Sequence, residues 1–367
     1  MENAKINAMQ LFVLIFLFEL GSALLIPLGT DAKQDAWLAI LTGMAGGVFL
    51  FYIYLRLYKY YPDILPTEYM QILLGKIFGK ILACIYIIYF LYISARVLRD
   101  FGEMLLTFAY EETPLFIVNA LLLLTIVYTV HKGIEVIART GELLFVVQYF
   151  LAVAGFILVI VSGLIDIKNL KPVLESGVMP VVKTFLKETW YIPFGEVVAF
   201  IMIFPYINRP KKLKKAGIAA IVLSGVNLVI TMAINIAVLG VDLTSRSQFP
   251  LLNTIQAIQV AEFLERLDVF FMIALIVGGF IKITIYFYAA VTGVSNLFHV
   301  KKASKLAYPL GIVVLILSLS IASSYTEHIQ EGLTLVSLYM HLPLQVIIPI
   351  LLLIIAFFKN KNKERSM

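Results

Sequence analysis

At two places a carboxylate stands beside a glycine where a lipid-spanning helix should be uniformly apolar. The first is Phe18-Glu19-Leu20-Gly21-Ser22-Ala23, inside the run from Leu11 to Leu28. The second is Ile192-Pro193-Phe194-Gly195-Glu196, inside the run from Trp190 to Tyr206. A charge at bilayer depth costs about 2.5–3.5 kcal/mol on insertion scales, so it has a task or a partner. Where a helix breaks, backbone N–H and C=O groups lose their internal partners, and protein, water or ligand must replace them. Such a break holds a zwitterion: N–H groups at a half-helix start take a carboxylate, and freed carbonyls take an ammonium. Glu19, Gly21, Gly195 and Glu196 are therefore candidate ligand-binding residues, the two glycines admitting close backbone approach. The plainer alternative is tight helix packing at the glycines and a simple kink at Pro193.

Two further groups carry polar chemistry within apolar runs. Tyr89, Tyr92, Arg96, Arg99, Asp100 and Glu103 fall within about 100° of arc on one helix. Arg96 with Asp100, and Arg99 with Glu103, have the i,i+4 spacing of neutralising pairs. This stripe is either the wall of a water-filled vestibule, with Tyr92 near the ligand, or an ion-pair network locking one helix to its neighbours. Lys282 lies about 21 Å along a helix from Asp268. At that depth it needs a carboxylate or a polar cavity, with Glu19 and Glu196 as candidates, or it snorkels to the surface. Thr284, Tyr286 and Tyr288 continue the polar trend, and Tyr286 joins the candidate binding set.

The elements that must position these groups are membrane spans. The chain has 367 residues, 61% hydrophobic and 14% charged, with mean hydropathy +0.95. A soluble domain has roughly 25% charged residues, so this is an integral membrane protein. Runs near the required length of about 20 residues number ten: Gln10–Leu28, Ala36–Tyr58, Ile77–Phe108, Leu115–Val130, Leu143–Ile165, Trp190–Pro205, Ala216–Leu239, Leu264–Val294, Leu306–Ile321 and Leu333–Phe358. The first is a retained helix rather than a cleaved signal, because it is long and no small-residue cleavage site follows it. The single cysteine, Cys84, is a small core hydrophobe.

Of the 29 lysines and arginines, nineteen lie in the connections on the N-terminal side of the spans and seven on the other. That bias places both termini inside, with the long connection Asp166–Thr189 outside. The net charge of +6 is thus a topology signal and does not point to nucleic acid. Five spans and five spans with opposite entry sides make two inverted halves, 1–165 and 190–358, within one transmembrane domain, 1–367. Glu19 then lies about 12–14 Å into span 1 from inside, and Glu196 about 9 Å into span 6 from outside. Both are near the middle of a core about 30 Å thick. Interrupted helices in matching positions of two halves point to a transporter-type binding site. There is no P-loop, HExxH, paired CxxC or GxSxG motif, and His131, His299, His328 and His341 have no metal spacing. The expectation is a protein that is not an enzyme and has no metal site or cofactor.

The chain resembles the spore germination permease family, the B subunits of germinant receptors, within the amino acid–polyamine–organocation superfamily. The resemblance is carried by Asn169-Leu170-Lys171-Pro172-Val173-Leu174 with Gly177 and Pro180, by Phe194-Gly195-Glu196, and by Leu264-Glu265-Arg266-Leu267-Asp268. It implies an all-α membrane fold of ten transmembrane helices, a LeuT-like five-plus-five inverted repeat with helices 1 and 6 broken and spans 3 and 8 flanking a central site. It implies that Gly21, Ser22 and Ala23 meet a ligand carboxylate; Ala23 stands where the wider superfamily often has a second glycine. It further implies a sensor of small nutrients, usually amino acids, in the inner membrane of the dormant spore. Its partners would be a larger membrane A subunit and a lipoprotein C subunit. A proton-coupled amino acid symporter of the same fold is the alternative, with Glu19 or Glu196 binding the proton.

Overall fold

The structure, a computed structural model, describes residues 4–258 and 267–365. Leu264, Glu265 and Arg266 lie outside the described residues, as do the side chains of Leu267, Asp268, Lys361, Lys363 and Arg365. Eight helices among the described residues are long and apolar enough to cross a bilayer. They are span 2 (Ala36–Tyr60), span 3 (Lys76–Phe108), span 4 (Leu115–Lys132), span 5 (Ile134–Val161), span 7 (Pro210–Arg246), span 8 (Leu267–Leu297), span 9 (Ala303–Ser320, a 3-10 turn running into an α-helix) and span 10, which runs from Tyr325 to Arg365 as α-helix, π-helix and α-helix in turn. Spans 1 and 6 complete the ten, and both are interrupted.

Several boundaries differ from the apolar runs for physical reasons. Span 5 begins at Ile134, nine residues before its run, because the exposed Glu135–Arg139 i,i+4 pair carries helix beyond the apolar stretch. Span 7 continues past Leu239 through a kink at Gly240, whose φ of 76° suits glycine. Span 10 contains Pro343, which has no N–H for an α-helical bond, and the stretch Gly332–Ile347 is π-wound around it. A short helix, Pro66–Leu74, lies between spans 2 and 3.

Span 1 starts as a regular helix, Ala8–Leu20, under a capping box of Asn7 and Gln10. It packs on spans 5, 7 and 8, while span 6 packs on span 2 and span 3 on span 8. On the N-terminal side, residues 5–7 lie alongside the chain that leaves span 6. Ile6 N–H donates to Tyr206 C=O at 2.9 Å, Asn208 N–H to Ile6 C=O at 3.0 Å, and Lys5 Nζ to Pro205 C=O at 2.9 Å. On the opposite side the 166–189 connection caps the bundle. Leu174 N–H donates to the Asp35 carboxylate, Gln34 to Pro172 C=O, and Asn169 to Ala237 C=O.

Candidate functional site

Span 1 breaks at Gly21, whose φ of −25° and ψ of −107° leave the helix, and resumes as a 3-10 turn, Ser22–Leu24. Span 6 breaks at Pro193, whose missing N–H and ring cannot continue an α-helix. Beyond it the chain runs as 3-10 turns over Phe194–Met202 and Phe204–Tyr206. Glu196 N–H is spent on Pro193 C=O at 3.0 Å, and Gly195 N–H on Tyr191 C=O at 3.1 Å. The Gly195 carbonyl goes instead to a side chain: the Tyr54 hydroxyl of span 2 lies 3.0 Å from it and 2.6 Å from Gln345 C=O. One phenolic proton is thus shared between span 6 and span 10. A Cβ on Gly195 would stand 2.5 Å from Gln345 Oε1 and 3.0 Å from Tyr191 Cβ, so a larger residue here must displace the Gln345 amide.

The carboxylate of Glu196 faces span 8. Lys282 Nζ is ion-paired with its Oε2, and Tyr286 OH donates to its Oε1 at 3.1 Å. Lys282 and Tyr286 are four apart on one helix, hence on one face. Lys282 is 0% exposed, so it does not snorkel. Its stem lies across the span 1 break, where a Cβ on Gly21 would stand 2.8 Å from Lys282 Cδ. Its ammonium lies 5.3 Å from the centre of the Phe18 ring, a cation–π distance. Glu19, one residue on, is fully buried, and neither carboxylate oxygen has a hydrogen-bond partner.

A cavity of about 60 Å³ opens from these breaks toward the capped side. Ser22, Glu196, Arg96, Asp100 and His341 contribute its polar lining, and Ile26, Ile93 and Leu333 part of its apolar lining. Spans 1, 3, 6 and 10 therefore wall it, while span 8 acts from behind through Lys282 and Tyr286. The expected arrangement of spans 1, 3, 6 and 8 needs that correction. Gly21, Gly195, Lys282 and Tyr286 form the cavity's backing. Ala23 is buried beside the break, and Tyr92 stands off toward Arg96, whose Nη1 donates to its hydroxyl at 3.3 Å.

The span 3 stripe divides into two jobs. Arg96 and Asp100 line the cavity, as a vestibule wall would. Arg99 donates to the carbonyls of Leu319 and Ala322 at 3.3 and 2.9 Å, closing the C-terminal end of span 9, and pairs with Glu103 at 3.2 Å. That half is a structural lock. The expected Arg96–Asp100 pair is replaced: Asp100 Oδ1 meets His328 Nε2 at 2.9 Å, and Arg96 Nη2 donates to His328 C=O. Two long-range contacts to span 10 win over one local contact because both partners are buried there.

Sequence reasoning missed a cluster behind Glu196. His341 lies within span 10, not at a helix end, with its Nδ1 2.7 Å from Tyr89 OH and 2.7 Å from Gln345 Nε2. Gln345 Nε2 also donates to Tyr89 OH at 2.7 Å. The signal was present in the sequence, since His341 and Gln345 are i,i+4 polar residues in an apolar run. At the outer end of span 1, buried Glu188 accepts from Gly29 N–H at 3.1 Å. Burial pushes the Glu188 carboxyl up to about 7, against the lowering effect of that backbone bond.

Two interrupted spans crossing at a buried charged site, within ten, define a multi-pass membrane protein of the LeuT fold. Solved structures share it: MhsT in complex with L-phenylalanine at TM-score 0.71 (95% of this chain, 98% of that one, 14% identical), and Mhp1, a nucleobase-cation-symport-1 family transporter, at TM-score 0.68 (90% and 75%, 13% identical). Within that class the chain belongs to the spore germination permease family, whose family model, described as "Spore germination protein", matches residues 5–326. It is 56% identical to Spore germination protein KB of Bacillus subtilis (strain 168), over 100% of this chain and 98% of that relative.

Proposed function

We propose that this chain is the germinant-sensing membrane subunit of a spore nutrient receptor, binding a small nutrient of the amino acid type at the paired breaks. The observation that carries the reading is the cavity between spans 1, 3, 6 and 10. It is lined by Glu196 of span 6 and Arg96 of span 3, with Ser22 at the span 1 break. That is the complement of a zwitterion: ammonium toward Glu196, carboxylate toward Arg96 and the Ser22 end of span 1. Glu19, Gly21, Ala23, Gly195, Lys282 and Tyr286 shape and charge this site from behind, and Tyr92, Arg99, Asp100 and Glu103 hold its outer wall. The chain acts as one transmembrane domain of two inverted halves, with both termini cytoplasmic, in the inner membrane of the spore. Occupancy is passed to a membrane A subunit and a lipoprotein C subunit.

The test is direct binding of amino acids to the purified full chain, with Glu196→Gln as control. Saturable binding of at least one amino acid, weakened tenfold or more in Glu196→Gln, is expected. Binding indifferent to that substitution sinks the central site. One observation favours a second reading, the proton-coupled symporter: the Glu19 carboxyl is buried without a hydrogen-bond partner, leaving it free to take up a proton. Reconstituted vesicles separate the two. Amino acid accumulation driven by a proton gradient supports the symporter, and binding without flux supports the receptor.

A further inference from the structure

A second cavity, of about 600 Å³, opens on the face that carries both termini. It lies where span 4 ends at Lys132, span 5 begins, span 8 ends at Leu297 and the connection to span 9 folds back. Lys132, Lys301 and Lys302 line it together with His131, Ser295 and Ser304, and no carboxylate is among its lining residues. Two acidic groups beside its lining residues in contact or in sequence are already engaged: Glu68 accepts from Asn296 Nδ2, and Glu135 pairs with Arg139. Three lysines therefore line one concave space that has no carboxylate in its lining. Its volume falls in the range of built ligand sites, about 300–1,000 Å³.

The rim fixes its depth in the membrane. Tyr128 is 60% exposed and lies under Lys132, whose Nζ is 5.1 Å from its ring centre. Tyr308 is 54% exposed and packs on His131 at 5.2 Å between centroids, and Phe298 is 56% exposed. Exposed aromatic rings at the ends of apolar spans mark the level of lipid headgroups. Basic pockets between spans at that level take phosphate-bearing headgroups. We infer that this cavity is a binding site for the phosphodiester headgroup of an anionic phospholipid, held by Lys132, Lys301 and Lys302 with a hydroxyl donor from Ser304. It is separate from the nutrient site and does not depend on the function proposed above.

Native mass spectrometry of the full chain in neutral detergent tests this, with phosphatidylglycerol, phosphatidylcholine and inorganic phosphate as probes. Phosphatidylglycerol is expected to bind and phosphatidylcholine to be excluded. Lys301→Gln combined with Lys302→Gln should weaken phosphatidylglycerol binding roughly 30-fold. Lys211→Gln combined with Lys212→Gln, elsewhere on the same face, should leave it unchanged. Circular dichroism showing full helix content keeps the comparison free of unfolding. Equal binding of the two lipids, or equal losses from the two double variants, overturns the site. Retention of inorganic phosphate without affinity for phosphatidylglycerol overturns the lipid assignment.

Discussion

Replacing Lys282 with methionine should unfold the site from its centre. Methionine keeps the length and apolar character of the stem that covers Gly21, so the packing change is small and the electrostatic one dominates. The Glu196 carboxylate, 4% exposed, would keep only the Tyr286 hydroxyl. Glu19, buried beside it without a hydrogen-bond partner, would lose the cation that offsets it. Removing one member of a buried ion pair costs about 3–5 kcal/mol, because the other charge stays desolvated. The second change, Glu196→Gln, removes that stranded charge, and Tyr286 can still donate to the amide oxygen. The double variant Lys282→Met/Glu196→Gln should therefore be more stable than Lys282→Met alone, recovering about 2–4 kcal/mol. The assay is retention of monodisperse protein after a temperature series in detergent, read by size-exclusion chromatography. The expected order is wild type, then the double variant, then Lys282→Met. A Lys282→Met protein as heat-resistant as wild type, or a double variant no better than the single, refutes the pairing argument.

Two further outcomes follow from contacts around the site. Glu188 has a carboxyl raised to about 7 against 4.5 unperturbed, so the folded state binds its proton more tightly than the unfolded one. Its stabilisation is full below about pH 4.5 and is lost as pH rises to about 7, by up to roughly 3 kcal/mol. Glu188→Gln keeps an acceptor for Gly29 N–H and removes the titration. Thermal stability of wild type should fall relative to Glu188→Gln between those pH values, and parallel profiles would contradict this. Tyr54→Phe removes the proton shared by the Gly195 and Gln345 carbonyls and should cost about 1–2 kcal/mol while weakening amino acid binding. Unchanged binding would show that span 6 does not need this support.

Much of the frame was legible because each span is an apolar run, and a run is a local property of the chain. The two glutamates were legible for the same reason in reverse: Glu19 and Glu196 are local exceptions whose cost is known. Lys282 was legible as a depth, and its partner was narrowed to two carboxylates. What the chain does not reveal is pairing across distance. The i,i+4 rule joins Arg96 to Asp100, yet Asp100 finds His328, 228 residues on. Tyr89 meets His341 across 252 residues, and nothing local to either marks the contact. The winding of span 10 was equally hidden, because Pro343 predicts an interruption and not whether the helix stops, kinks or widens. His341 and Gln345 both lie in that widened stretch and both meet Tyr89 of span 3.

The charge layout also bears on how a transporter fold would signal. Moving a receptor from 1:99 to 99:1 between two states needs a ligand that favours one state by about 5.5 kcal/mol. A hydrogen bond to a charged group contributes about 1.5–3 kcal/mol net. Glu196 and Arg96, on spans 6 and 3, supply two such bonds to a zwitterion, or about 3–6 kcal/mol, if both reach the ligand only when the cavity is closed. Neither group can supply the shift alone. The wall carrying Arg96 is bound to span 10 through His328, and to span 9 through Arg99. Closure over a ligand must therefore move spans 9 and 10 with span 3. Those two spans lie outside the paired breaks, and on the proposed function they are the elements that carry occupancy outward to partner subunits.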